Sequence, residues 1–240
     1  MNIAIISDIH GNFEALRMVL ADIDALGVEC ICLGDCIGYG PEPEAVITEI
    51  RRREISTIIG NHEQALFDHR HLAWFNPLAQ KSLEKTVTML SAASIDYLKQ
   101  LPSNIVTDHY LGVHGYPPDS VRTYLFQKTS DALIKTFKAT NQPIFFVGHT
   151  HDLELISFDG LQIKRTPLIN EKVILNPQYR YIVNVGSVGQ PRDGNNNAKY
   201  ALYDSSCYEL EIRFIPYDIA ATVAKIKAVG MPETHANRLW

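Results

Sequence analysis

Five short apolar runs in the first 150 residues each end on side chains able to ligate a metal, and this repetition constrains the chain more than any other feature. Ile3–Ile6 leads to Asp8 and His10 in "DIH", "CICLG" to Asp35, and "STIIG" to Asn61 and His62. "YLGV" leads to His114, and "IFFVG" to His149 and His151 in "GHTH". Glycine stands immediately before three of these sites, at Gly34, Gly60 and Gly148. Two residues apart on a strand, Asp8 and His10 would point the same way, so they form either an exposed polar edge or two ligands aimed at one point. The other four strand ends favour ligands. In open α/β sheets, binding sites lie beyond the carboxyl ends of strands, where five such ends can converge.

The order of elements supports that frame. Residues 2–7 read as a buried strand, and Asn12 can cap a helix whose apolar positions Phe13, Leu16, Leu20 and Ile23 follow helical spacing. Strand 29–33, a glycine-rich loop 34–40, a helix from about Pro43 and a short strand 55–59 follow. Residues 62–101 read as helical, polar on one side and without obvious chemistry. Strands at 104–107 and 110–114, a helix at 130–140 and a strand at 143–147 lead to the last histidine pair. Beyond residue 152 the pattern turns to β segments, near 153–157, 161–165, 172–175, 181–185, 199–204 and 207–214. A helix at 218–228 follows, and the last ten residues read as a tail. The alternation predicts an α/β fold. No internal repeat or dividing linker is evident, so residues 1–240 are expected to form one domain.

Composition narrows the function. A net charge of −5 argues against an extended nucleic-acid surface, which needs clustered Lys and Arg. Asp8 interrupts the first apolar run too early for a signal peptide, and no stretch reaches membrane-spanning length. Cys30 and Cys32 alternate on an apparent strand without the further soft ligands a zinc site needs, so core packing accounts for them. Reduced thiols place the chain in the cytoplasm.

Each piece has a plain structural explanation on its own. "GNHE" can be the start of a helix with Asn61 as its cap. His69, His71, His109 and His235 lack the strand-end setting and read as surface residues. "GHTH" is harder to dismiss, because two alternating histidines after a buried strand cost packing. Taken together, the pieces point to a shared site of carboxylate, imidazole and amide donors without thiolate. Such a set suits Mn, Fe, Zn or Ni.

"DIH", "GD", "GNHE", "VHG" and "GHTH", in this order over residues 8–151, resemble the calcineurin-like metallophosphoesterases, especially their small prokaryotic phosphodiesterase branch. "NVGSVGQPRDG" at 184–194 extends the resemblance. The resemblance implies a four-layer α/β/β/α sandwich of two mixed sheets flanked by helices, with two divalent ions, Mn foremost, at the sheet edge. Asp8, His10, Asp35 and His151 would hold one ion; Asp35, Asn61, His114 and His149 would hold the other, with Asp35 bridging. A bridging hydroxide would attack the phosphorus of a small phosphoester, nucleotide-like in size and most simply a diester, and His62 would protonate the leaving oxygen.

The loop after Asp35 departs from the protein phosphatase branch, whose pattern is GDxxDRG. Here it reads "GDCIGYG", with Gly38 in place of the aspartate that orients the acid histidine and Tyr39 in place of a phosphate-binding arginine. A phosphate-binding cation must come from elsewhere. Arg192 is the first candidate and Arg122 the second, against a loop salt bridge of Arg192 with Asp193 or Asp204. Tyr39, Tyr116 and Tyr124 are best explained by core or rim packing. The competing functions are a degenerate protein-binding scaffold, a protein phosphatase or a nuclease of the same fold. Oligomeric state is not legible.

Overall fold

The computed structural model describes residues 2–240. Strand β1 (Asn2–Ile6) shows how the layers form: Ile3 and Ile5 point to one side, Ala4 and Ile6 to the other, and all four are buried. A strand buried on both faces belongs to the centre of a covered sheet. β1 pairs in parallel with β2 (Glu29–Cys32), which pairs in parallel with β3 (Ser56–Thr57). On its other side it pairs antiparallel with β11 (Ala198–Asp204), and β12 (Glu209–Ile215) and β9 (Lys172–Ile174) complete this mixed sheet.

A second mixed sheet runs β4 (Asn104–Val106), β5 (Tyr110–Val113), β6 (Ile144–Val147), β10 (Arg180–Val185), β7 (Leu153–Phe158), β8 (Ile163–Pro167). β5, β6 and β10 are parallel neighbours at its centre. Ile3, Ile5, Ile31 and Leu33 from the first sheet meet Ile144, Phe146 and Val183 from the second, so the two sheets share an inner core. On the outside of the first sheet, Ala4 and Ile6 pack on α1 (Phe13–Leu26) and α2 (Pro43–Arg52). On the outside of the second, Phe145, Val147 and Ile182 pack on α7 (Ser130–Ala139). This is the expected four-layer α/β/β/α sandwich. Among the described residues, no helix is long and apolar enough to cross a membrane.

Two regions differ from the sequence expectation. Residues 61–101 break into α3 (Asn61–Phe67), α4 (His69–Leu72), α5 (Pro77–Val87) and α6 (Ala92–Lys99), and part of this segment walls the site. The expected tail is ordered structure. After α8 (Ile219–Ala228), α9 (Glu233–Asn237) docks with His235, Ala236 and Leu239 buried. The sequence concealed this because a five-residue helix offers too little periodicity to read.

Candidate metal centre and substrate cleft

All the strand-end candidates come together beyond the carboxyl ends of β1, β2, β3, β5 and β6, across the edge of both sheets. Asp8, His10, Asp35, His62, His114, His149 and His151 are buried, and Asn61 is 9% exposed. Their arrangement does not come from strand alternation, as the spacing suggested. Asp8 and His10 lie beyond the end of β1, and His149 and His151 beyond β6. Asp8, His10, Asp35, His149 and His151 all have left-handed backbone, with φ of 54°, 49°, 52°, 67° and 63°. That conformation costs about 1–2 kcal/mol for each non-glycine residue. Such outliers cluster where function over-determines the geometry.

Three groups of donor atoms lie close enough to hold an ion: Asp8, His10 and His151; Asp35, His114 and His149; and His10, Asp35 and His62. Asp35 stands between the halves, with Oδ2 3.7 Å from His10 Nε2 and 3.2 Å from His114 Nε2. His114 Nε2 is also 3.0 Å from Asn61 Oδ1. The third group admits His62 as a ligand on distance alone.

The hydrogen bonds behind the histidines test whether a cation fits. Nδ1 of His10, His114 and His151 lies against the carbonyls of Ile37 (3.0 Å), Leu33 (2.8 Å) and Gln190 (2.5 Å). Nε2 of His149 lies 3.2 Å from the carbonyl of Arg122. A carbonyl only accepts, so each of these nitrogens donates and the opposite one presents a bare lone pair. His10 Nε2 and His151 Nε2 thus face each other, lone pair to lone pair, at 3.1 Å. Asp8 Oδ1 is buried without a hydrogen-bond partner among the described residues. A cation between these atoms would remove the repulsion and satisfy the carboxylate. Without one, burial pulls His114 down, yet Asp35 and Asp8 outweigh it and push the imidazole up to about 10. The two carboxylates therefore draw positive charge to this site, and a cation held by these donors would supply it in place of the imidazole proton.

A supporting layer, missed by the sequence reading, holds the ligands in place. Buried Glu63 accepts from the N–H groups of Gly60 (2.8 Å), Asp35 (2.9 Å), Cys36 (2.7 Å) and Ile37 (3.2 Å). It thereby ties the start of α3 to the Asp35 loop. The available signal was a Glu at the third position of a helix, the reciprocal capping position. Gly60, and not Asn61, is the N-cap, which leaves the Asn61 amide free to face His114. A Cβ at Gly60 would overlap Asp35 Oδ1, so glycine is required there. The 184–194 motif acts similarly: Ser187 Oγ (2.8 Å) and Gly189 N (3.0 Å) donate to the Asp8 carbonyl, and Asn184 donates to the Gly148 carbonyl at 2.9 Å.

His62 is held by rings. Its N–H donates to Asp35 Oδ1 at 2.9 Å, and its imidazole packs 4.7 Å from His10, 4.6 Å from Tyr39 and 4.7 Å from Phe75. Nδ1 has no hydrogen-bond partner among the described residues, and burial keeps the imidazole well below its ordinary pKa. Gly38 has φ of 84°, and a Cβ there would overlap His62 Nδ1. The glycine that replaces an aspartate therefore makes room for the ring, and the aromatic contacts orient it. Tyr39 is backed by His235, ring to ring at 4.7 Å. His235 is buried, contrary to its reading as a surface residue. His71 is half-buried and lines the cleft.

Above this floor opens a cleft of about 420 Å³. Arg192 and Arg122 both line it, as does Arg238, which the sequence reading did not single out. Arg192 donates to Gln190 Oε1 at 3.1 Å, while Asp193 is taken by Lys199 at 2.7 Å. The Arg122 guanidinium lies 4.8 Å over the ring of Trp74. Tyr39 and Tyr124 line the cleft, the latter stacked on His149 at 4.1 Å, whereas Tyr116 is buried and bonded to Thr136 at 2.7 Å.

Comparison with known proteins agrees with this geometry. Residues 1–206 match the calcineurin-like phosphoesterase superfamily domain. An uncharacterized protein of Methanocaldococcus jannaschii is 33% identical over 244 residues, covering 99% of this chain and 97% of its own. The crystal structure of a metallophosphoesterase from Sphaerobacter thermophilus superposes with a TM-score of 0.85 at 33% identity, covering 100% of this chain and 98% of that one. A hypothetical protein of Pyrococcus horikoshii shares the fold, with a TM-score of 0.80 at 20% identity over 100% and 97% of the two chains. With its strand-end Asp and His residues clustered as metal donors, the chain belongs to the calcineurin-like phosphoesterase superfamily and is a metal-dependent phosphoester hydrolase.

Proposed function

We propose that the chain hydrolyses small, nucleotide-like phosphoesters, diesters foremost, with two divalent ions held at the Asp35-centred cluster. One observation carries this reading: Asp35 lies between two groups of donors, each backed so that bare lone pairs face inward. Asp8, His10, Asp35 and His151 would hold one ion, and Asp35, Asn61, His114 and His149 the other. The donor set favours Mn, with Fe, Zn or Ni as alternatives. Two such ions would supply an activated water and positive charge for the phosphoryl oxygens.

The protein's own part is to position and to move protons. Hydrolysis adds one water across a P–O bond; the water's oxygen joins phosphorus and a proton reaches the departing oxygen. His62, beside Asn61 and fixed by ring contacts, is the group assigned to that proton. Its imidazole is neutral in the buried site, and a phosphoester's negative charge opposite the ring would favour its protonation. Arg192 is assigned to the reacting phosphate, and Arg122 supplies a second cation elsewhere in the same cleft. Residues from both ends of the chain, Asp8 and Arg238, serve this one site, which supports reading 1–240 as a single domain. Free Cys30, Cys32, Cys36 and Cys207 support a reducing cytoplasmic setting. The test is a screen of metal-loaded protein against phosphomonoesters, cyclic and linear diesters, dinucleoside polyphosphates and phosphoproteins. Turnover of small nucleotide esters with Mn²⁺, lost on chelation, is expected; turnover of phosphoproteins alone would refute the reading.

A further inference from the structure

An exposed indole by itself means little. Trp74, however, is 76% exposed while lining the cleft that holds the Asp/His cluster, and it carries the Arg122 guanidinium on its ring. Arg122, Arg192 and Arg238 all line this cleft, and none has a carboxylate partner among the described residues. Asp35 is the sole acidic residue lining it among those described. In a chain of net charge −5 such a concentration of unpaired guanidinium is a local excess, present before any metal charge is counted. A simple diester would leave most of it unmatched. A second phosphate adds roughly 1.5–2 further negative charges.

We propose that the outer cleft recognises a nucleoside bearing two or more linked phosphates, with Trp74 stacking the base and Arg122 and Arg238 taking the phosphate beyond the reacting one. Arg192, hydrogen-bonded at 3.1 Å to the side chain of Gln190, whose carbonyl backs His151, stays with the reacting phosphate. A volume of about 420 Å³ suits a mononucleotide portion, and aromatic stacking tolerates any base. The assignment of the reacting phosphate rests on the phosphoesterase reading above, whereas binding of the base and second phosphate is measurable without turnover.

The chain has two tryptophans, so a Trp240→Phe protein reports Trp74 alone by fluorescence. In chelator, adenosine, AMP, ADP and inorganic pyrophosphate are titrated into it. ADP is expected to quench Trp74 and to bind at least ~10-fold more tightly than AMP, because the second phosphate gains charge-assisted hydrogen bonds. Pyrophosphate should bind without the stacking quench. Arg238→Gln should remove most of the ADP advantage, and Trp74→Ala, followed calorimetrically, should weaken AMP and ADP alike by ~5–100-fold. Equal affinity for AMP and ADP, no ADP binding, or ADP binding indifferent to both substitutions overturns the proposal. The AMP and ADP titrations, repeated calorimetrically on wild-type protein, separate these outcomes even if a variant misfolds. Hydrolysis of a nitrophenyl diester by Mn-loaded protein is scored separately. Turnover without ADP selectivity sinks this inference alone, and ADP selectivity without phosphoester turnover under any metal sinks the phosphoesterase reading.

Discussion

The floor of the cleft and its walls are built to opposite specifications. The floor consists of buried side chains on short strand-end loops, five of them held in left-handed backbone and each histidine ligand backed by a carbonyl. The walls come from the α4 to α5 segment, from the loops that carry Arg122, Tyr124 and Arg192, and from Arg238 near the C-terminus, and their key side chain, Trp74, is 76% exposed. A metal cluster requires donors placed to within tenths of an ångström, so it is built on the ends of central strands and supported from behind. Substrate recognition tolerates adjustable contacts and can sit on surface loops. The difference predicts that substitutions in the floor abolish chemistry, while substitutions in the walls alter selectivity or stability.

The largest effect is expected at Asp35. Its Oδ2 faces both donor groups and its Oδ1 receives the His62 N–H, so one substitution should disturb both ions and the proposed acid. Asp35→Ala should lose several kcal/mol of transition-state stabilisation, roughly 10³-fold or more in rate. It should also hold less metal than Asn61→Ala, whose amide faces only His114. Metal analysis of both purified variants decides the point; unchanged occupancy in Asp35→Ala would show that the bridge is misassigned. Chelation of the wild type should abolish hydrolysis, and Mn²⁺ should restore it.

His62 tests whether the floor divides into ligands and acid. His62→Ala should keep both metals and slow an alkyl diester by roughly 10²–10⁴-fold. A nitrophenyl diester, whose leaving group needs little protonation, should slow much less. Equal losses on both substrates with metals retained would remove His62 from the acid role. Loss of metal would favour the grouping of His62 with His10 and Asp35.

The same contrast explains what was legible in the sequence. The floor could be read because each ligand follows an apolar run, and a buried parallel strand declares itself by composition alone. Glu63 was harder: its role is to bind four backbone N–H groups, and a backbone partner leaves no trace in residue spacing. The left-handed turns at Asp8 and His149 were invisible for a related reason, since nothing in the residue types demands positive φ. The walls were least legible. Trp74 sits in a short irregular stretch, and Arg238 lies more than 200 residues from Asp8, so only tertiary packing brings them to one cleft. His235 read as surface because its burial depends on a five-residue helix.

Gly38 lies where floor meets wall and gives a smaller, sharper test. Gly38→Asp would restore the residue of the protein phosphatase pattern, yet it should not restore an oriented acid. Its backbone φ of 84° disfavours any side chain, and the new Cβ would overlap His62 Nδ1. Strain and overpacking of this kind cost about 1–3 kcal/mol. The expected result is a lower Tm together with slower turnover of alkyl diesters. A variant as stable as the wild type and faster would mean that the aromatic cage is not what orients His62.

The smallest effect is expected behind the wall, at His235, and it is a dependence on pH. The ring lies buried against Tyr39, neither nitrogen has a hydrogen-bond partner among the described residues, and the charged or titratable groups acting on it are Tyr39, Arg238, Arg192 and His10. Burial first, then the Arg238 charge, pulls its pKa down to about 4. In the unfolded chain a histidine titrates near 6.5. Above about pH 6.5 both states are neutral and His235 contributes nothing to the pH dependence of stability. As the pH falls from there toward about 4, the unfolded chain binds a proton that the folded chain refuses, so folding weakens. The slope from one such group is at most ~1.4 kcal/mol per pH unit. Other buried histidines add their own slopes, so the measurement is a difference. Melts of wild type and His235→Phe, which preserves a ring against Tyr39, are compared at pH 7 and pH 5 in chelator. The variant should lose less Tm than the wild type on acidification. Parallel losses would mean that His235 titrates as it does in water and that α9 opens freely, which would make the C-terminal wall a mobile element and not a docked one.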